Sequence, residues 1–303
     1  MEKLTLRELN LFLSDGEKGL TKLNKFIEFD RDSKKPLLVF KDGVLSDDVP
    51  ESYDIDSKVF EAILLHEKEE KEDRPSLIGS DYINIVTEGD SWFRLPYLLP
   101  KYPRSIAQVL ALKDDLDINN IAYWGHTLER MFHQKEYLET LTDETDIFML
   151  SAGGNDLQVN IEEIIHDYDE SRPYNSYITK IGFEFLNYIE NTYVKMFDEV
   201  SLSFPNIKII SHGYDFPRPT KDSRYIGQYM HAKGIPEKLM LNITQEMMKT
   251  FNESIKNATN QFAGAIYIDC LSITKGHNWI DDMHPGRQGY KALAEEFYKT
   301  ITD

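Results

Sequence analysis

The chain has 303 residues, with 34 basic against 52 acidic side chains, a net charge of −18 and a pI near 4.9. A surface this negative repels phosphate backbones and anionic lipid, which excludes nucleic acid as a partner and favours a neutral or cationic substrate. Cys270 is the single cysteine, so no internal disulfide or paired-cysteine metal site is available; no run reaches the roughly 18 apolar residues of a membrane-spanning helix, and the sequence as given reads as cytoplasmic, with export on a removed signal left open.

This length allows one large domain or one domain with an appendage. Residues 1–80 differ from the rest and are expected to form an N-terminal extension or small module. Leu6, Leu9 and Leu13 fall on one helical face, and Leu20, Leu23 and Ile27 on another. Leu37–Phe40 followed by Asp42-Gly43 reads as a short strand and turn. The charge run from Glu67 to Arg74, closed by Pro75, reads as a solvated helix end or linker and marks the domain boundary.

From Tyr82 onward, apolar strand patterns alternate with helical ones. The strands are expected at Tyr82–Val86, Ile118–Trp124, Asp146–Ser151, Ile207–Ser211 and Ala265–Leu271. One helix carries Leu128, Met131, Phe132, Tyr137 and Leu138, and a longer one runs from Ile178 to Val200. A third has Met240, Ile243, Met247, Phe251 and Ile255 on one face. The last has Tyr290, Leu293, Ala294, Phe297 and Ile301. This alternation predicts a parallel sheet covered on both faces, with ligand sites at the carboxyl ends of the strands. Cys270, in an apolar run, reads as a small core residue.

Four segments carry chemistry. Gly89-Asp90-Ser91 closes the first of these strands, so a sharp turn holds a serine hydroxyl out of the sheet. Serine is a weak nucleophile until a base takes its proton. Histidine serves best at neutral pH, and a carboxylate fixes its tautomer. His284 stands before the last helix, in Asp281-Asp282-Met283-His284-Pro285. Asp281, three residues back, is expected to reach the ring, with Asp282 as its competitor. Gly125 follows Ile121–Trp124, and lacking a Cβ it lets its N–H approach an oxyanion closely; Thr127 is placed to cap the next helix. Ser151-Ala152-Gly153-Gly154-Asn155-Asp156 follows another strand, and the Asn155 amide is placed to donate to the same oxyanion.

These blocks, in this order, resemble the SGNH hydrolases, the GDSL-type esterases and lipases. The resemblance runs from about Tyr82 to the C-terminus and leaves residues 1–80 unmatched. It implies a flavodoxin-like three-layer α/β/α sandwich over residues 81–303, with residues 1–80 as an N-terminal extension. It implies an acyl–serine intermediate on Ser91 and an oxyanion hole from the Ser91 N–H, the Gly125 N–H and the Asn155 side chain. No metal or cofactor is implied. The expected substrate is a small-molecule or lipid acyl ester.

The chain departs from the family after the nucleophile, where Trp92 and Phe93 replace the usual aliphatic residue. Their bulk either lines the acyl side of the cleft or packs beneath the turn. The next stretch holds three prolines, Pro96, Pro100 and Pro103, and cannot form a long regular helix. Gly213 to Pro236 is long for a connection. It reads either as a lid bringing Tyr214, Phe216, Tyr225 and Tyr229 to the substrate entrance or as a surface insertion. Three functions stay open at this point: ester hydrolysis, acyl transfer to a sugar or other alcohol, and binding without turnover. Thioester cleavage is open too, as is the docking of a protein partner through residues 1–80.

Overall fold

The structure, a computed structural model, describes residues 3–30, 37–73 and 82–303. The chain divides into two compact units, Met1–Ser80 with Leu95–Arg104, and Asp81–Arg94 with Ser105–Asp303.

The first unit holds helices α1 (Leu6–Ser14) and α2 (Gly16–Leu23), antiparallel strands β1 (Ile27–Phe29) and β2 (Leu38–Phe40), and helix α3 (Ile55–Glu72). Thr5 and Glu8 form a capping box that starts α1. Leu9, Leu20, Leu23, Val59 and Ile63 are fully buried and make its core. Ile27 lies on β1, not on the helical face its spacing suggested; the helix stops at Leu23, and Ile27 pairs with Phe40 instead. The charge run continues α3 through Glu72, while its Arg74 and the following Pro75 fall outside the described residues. Its middle is not simply solvated: Glu70 accepts from Arg104 at 2.6 Å and from the Tyr97 hydroxyl at 3.3 Å. Tyr102 packs edge-on against Phe29, with ring centroids 5.2 Å apart, and Leu95, Leu98 and Leu99 are buried. The proline-rich stretch therefore belongs with the N-terminal residues.

The second unit runs in the order β3 (Ile83–Gly89), α4 (Ile106–Leu110), β4 (Leu116–Asn120), α5 (Leu128–Gln134), α6 (Glu136–Thr140), β5 (Ile147–Ser151), α7 (Gly154–Ile164), α8 (Lys180–Ser203), β6 (Lys208–His212), α9 (Gly227–Ala232), α10 (Glu237–Thr259), β7 (Ile266–Ile268) and α11 (Arg287–Thr302). The five strands form a parallel sheet in the order β4-β3-β5-β6-β7. Strand addition reverses direction at β3. Right-handed crossovers then put α4 on one face and the helices between β4 and β7 on the other. The contacts agree: α11 packs on α4, and α8 packs on α5, α7 and α10. Every residue of β5 is buried, as a strand covered on both faces must be. This is the doubly wound, flavodoxin-like order, whose ligand crevice lies where the strand order reverses, between β3 and β5.

Three elements differ from the sequence reading. The pattern from Leu128 to Leu138 is two helices, because Lys135 takes a left-handed conformation (φ 56°) and caps the first against Met131. β4 ends at Asn120, not Trp124, although Ile121 and Tyr123 still donate to Thr87 and Gly89 carbonyls on β3 at 2.9 Å. β7 is only Ile266–Ile268; Cys270 lies beyond it, buried.

Candidate active site

β3 runs beside β5 until Gly89 faces Ser151. A Cβ on Gly89 would come within 2.8 Å of the Ser151 carbonyl oxygen, so only glycine lets the chains stay this close. The next residue tightens the turn. Asp90 N–H donates to Ser151 O at 3.0 Å, and the Asp90 carbonyl accepts from the Phe93 and Arg94 N–H groups, each at 3.0 Å. Its carboxylate takes three donors: Trp92 N–H at 3.0 Å, Ser151 Oγ–H at 2.9 Å and Tyr214 Oη–H at 2.6 Å. Burial raises the Asp90 pKa above the ordinary value against the pull of these donors. The aspartate of the turn is therefore its structural hub, and Ser91 is the residue it holds out.

His284 meets that serine. Its Nε2 lies 2.7 Å from Ser91 Oγ. Its Nδ1 lies 2.8 and 2.9 Å from the two Asp281 carboxylate oxygens. Asp281 Oδ1 also accepts the Met283 and His284 backbone N–H groups at 2.9 and 2.8 Å, which fixes the carboxylate as well as the ring. Tyr225 stands edge-on to the imidazole, centroids 5.6 Å apart. Asp282, the competitor, points elsewhere. Its carboxylate accepts the N–H groups of Tyr225, Ile226 and Gly227 at 2.7 to 3.2 Å.

Two buried histidines show what the carboxylate does. His212, packed among aromatic rings with no acid beside it, is pulled down to about 4 by burial. Burial pulls His284 down too, but the Asp281 charge and hydrogen bond outweigh it, and its pKa ends above the ordinary value. Reciprocally, His284 holds Asp281 below the usual carboxylate value despite burial.

The remaining predicted residues follow the two strands that flank β3, Gly125 after β4 and Asn155 after β5. Gly125 has φ 84°, a left-handed conformation that favours glycine, in the segment that leaves β4. That segment is tied to the serine turn by Arg94, whose guanidinium donates to the Ala122 and Asn120 carbonyls at 2.7 and 2.6 Å. Asn120 returns a bond from its amide to Phe93 O at 3.0 Å. Asn155 opens the first turn of α7, buried, and its Nδ2 donates to His126 O at 2.8 Å, leaving its second amide hydrogen free to donate. Asp156 accepts Leu128 N–H at 2.7 Å and so joins the start of α7 to the start of α5. Thr127 caps α5 by accepting Arg130 N–H at 3.2 Å.

The four substrate-lining candidates separate. Trp92 and Tyr214 line a cavity shared with Leu157, Ile226, Met248 and Met283. Trp92 is also packed against His212 and Tyr290. Phe93 is corrected to a core residue: it is fully buried against Phe297 and His212. Phe216 is half-buried and is not part of the cavity wall. The Gly213–Pro236 connection is an anchored strap, not a loose lid. Asp282 holds its far part, Asp215 accepts the Ser272 and Thr274 N–H groups at 2.6 and 2.8 Å, and Arg218 donates to the Thr274 and His277 carbonyls at 3.0 and 2.8 Å. Sequence reasoning missed Arg94 as a brace, Asp282 as an anchor and the methionine walls. Only the Asp281-Asp282 pair carried a signal, since two adjacent carboxylates rarely share one task.

No family model and no curated protein matches the sequence. Solved structures do. A lipase from a goat rumen metagenome superposes with a TM-score of 0.50 at 14% identity, over 72% of this chain and 96% of its own. An extracellular lipase from Streptomyces rimosus gives 0.48 at 16% identity, over 71% and 98%. A phospholipase A1 from Streptomyces albidoflavus gives 0.45 at 14% identity, over 72% and 99%. With its parallel sheet in flavodoxin order and helices on both faces, the chain has the fold of the SGNH hydrolases.

Proposed function

We propose that the protein is a serine hydrolase that cleaves a carboxylic ester through an acyl–serine intermediate. The observation that carries this reading is the relay from Ser91 Oγ through both nitrogens of His284 to the Asp281 carboxylate, at 2.7 and 2.8 Å. The shared fold with a lipase supports it.

In this reading the proton on Nδ1 faces Asp281 and the lone pair on Nε2 faces the serine. Ser91 attacks the ester carbonyl while Nε2 takes its proton. The carbonyl oxygen becomes negative and accepts hydrogen bonds from the Ser91 and Gly125 N–H groups and from the Asn155 amide. His284, now an imidazolium stabilised by Asp281, gives its proton to the departing alcohol oxygen. A water then replaces the alcohol. Nε2 takes one of its protons as it attacks the acyl carbon, then gives that proton to Ser91 Oγ as the acyl–Oγ bond breaks and the carboxylic acid leaves. The first proton transfer, from Ser91 Oγ to Nε2, and the last, from Nε2 back to Ser91 Oγ, cross the 2.7 Å contact; the two between them run between Nε2 and the alcohol or the water. Asp281 stays ionised throughout, in keeping with its lowered pKa.

The test is turnover of p-nitrophenyl acetate by the wild type and by Ser91→Ala. The wild type should release nitrophenol in a saturable manner, and the variant should fall to the background rate. Equal rates in the two proteins reject the serine mechanism.

A further inference from the structure

The cavity beside the serine turn fixes which acyl group the site can take, given the hydrolase reading above. Its walls are chain neighbours of the reacting groups: Trp92 follows Ser91, Met283 precedes His284 and Gly154 precedes Asn155. An acyl chain attached to Ser91 therefore has this cavity within reach. The cavity is small: the room in it for the centre of a water-sized sphere is about 10 Å³, roughly what a single water needs.

The walls are apolar and fixed. The Trp92 indole donates to Met283 O at 3.3 Å and stands edge-on to Tyr214, centroids 4.9 Å apart. Tyr214 is held by its hydroxyl on Asp90 and by Asn252, which accepts its N–H at 2.9 Å and donates to its carbonyl at 2.7 Å. Gly154 forms part of the wall, and a Cβ there would lie 3.2 Å from the Tyr214 ring. Pro217 and Ile226 come from the strap, and Asp282 bonds the Ile226 N–H at 2.7 Å. The one charged lining residue, Asp215, has its carboxylate oxygens bonded to the Phe216, Ser272 and Thr274 N–H groups and to the Thr274 hydroxyl. No basic side chain lines the cavity to receive an acidic group.

We infer that this cavity is the acyl pocket, that it selects the shortest uncharged acyl groups, acetyl foremost, and that Met248 of α10, one of its walls, keeps longer chains out. The bulk of Trp92 forms one wall and makes the pocket small rather than blocking it. Long fatty acyl groups find no room unless a wall is removed.

A series of p-nitrophenyl esters from acetate to dodecanoate, run on the wild type, Met248→Ala and Leu157→Ala, tests this. Thermal melts and labelling by a small ethyl fluorophosphonate are run alongside. The wild type should favour acetate over octanoate in kcat/KM by a factor of roughly 10–200, the discrimination a few methylenes earn at a closed apolar wall. Met248→Ala should raise octanoate relative to acetate at least about tenfold, on the same scale. Leu157→Ala, at another wall, should move the ratio the same way and serves if Met248→Ala does not fold. A wild type that prefers octanoate or dodecanoate, while still labelled on Ser91, overturns the pocket and leaves the hydrolase reading standing. An unchanged ratio in folded variants also overturns it. No labelling and no turnover of any ester overturn both readings together.

Discussion

Replacing Asp281 by asparagine should do more harm than removing its side chain altogether. Asp281 Oδ1 is held by two main-chain donors, Met283 N–H at 2.9 Å and His284 N–H at 2.8 Å. In Asp281→Asn those donors keep the amide oxygen where Oδ1 stands. The amide nitrogen then occupies the Oδ2 position, 2.9 Å from His284 Nδ1. The amide oxygen stays 2.8 Å from Nδ1 while the amide N–H₂ comes to 2.9 Å from it; an amide N–H turned toward Nδ1 favours the tautomer that carries its proton on Nε2. Nε2–H then points at Ser91 Oγ from 2.7 Å and cannot accept the serine proton. A wrong tautomer of this kind costs about 10⁴ in kcat, which is about 5 kcal/mol of barrier. Asp281→Ala leaves both tautomers open and should lose less. The assay is kcat and kcat/KM on p-nitrophenyl acetate over a pH series, with circular dichroism to verify the fold. Burial pulls the His284 pKa down and Asp281 lifts it above the ordinary value. The wild-type rate should therefore fall as pH drops through a point above 6.5, the ordinary histidine value, and this acid limb should move to lower pH in both variants. An asparagine variant within about tenfold of wild type, or an alanine variant slower than the asparagine one, refutes the reasoning about the pinned carboxylate.

Asn155→Ala removes one oxyanion donor and should lower kcat by about 10²–10³ with a smaller change in KM; a change confined to KM assigns Asn155 to substrate contact. Glu88 is 1% exposed and burial raises its pKa to about 8. The folded state thus holds a proton that the unfolded chain releases near pH 4.5. Stability is full below that value, falls as pH rises toward 8 and is flat above it, a loss on the order of a few kcal/mol at 1.36 kcal/mol per unit. Glu88→Gln keeps an acceptor for the Gly89 N–H and should abolish the decline, as urea midpoints at pH 5 and pH 9 would show. Deleting residues 1–80 uncovers Leu95, Leu98 and Leu99, which are at most 4% exposed. The truncated chain should aggregate or melt well below the full chain, and an unchanged melting temperature would show that Leu95–Arg104 does not depend on that core.

Much of the sheet was legible because each strand is a short apolar run bounded by polar turns, and β5 is buried from end to end. The serine turn and the Asp281–His284 spacing were legible because both are local: Asp281 needs one turn of chain to reach the imidazole. Features set by distant contacts were not. Periodicity ran straight through Lys135, since a left-handed residue that splits α5 from α6 leaves the apolar spacing intact. Ile121–Trp124 kept the apolar look of a strand, yet two bonds to β3 carry it past the end of β4 in an irregular path. Phe93 could not be told from a cleft residue by type; Phe297 and His212, far along the chain, decide its place. The same holds for Leu95–Arg104, whose partners Glu70 and Phe29 precede β3 in the chain.

The central claim is that Ser91 Oγ is a nucleophile activated by His284. Intact-mass and peptide-mapping mass spectrometry after incubation with an alkyl fluorophosphonate tests it most directly. The account predicts one adduct per chain, on the peptide bearing Ser91, formed rapidly in wild type, far more slowly in His284→Ala and not at all in Ser91→Ala. An adduct on another residue, or equal labelling rates with and without the His284 imidazole, would contradict it.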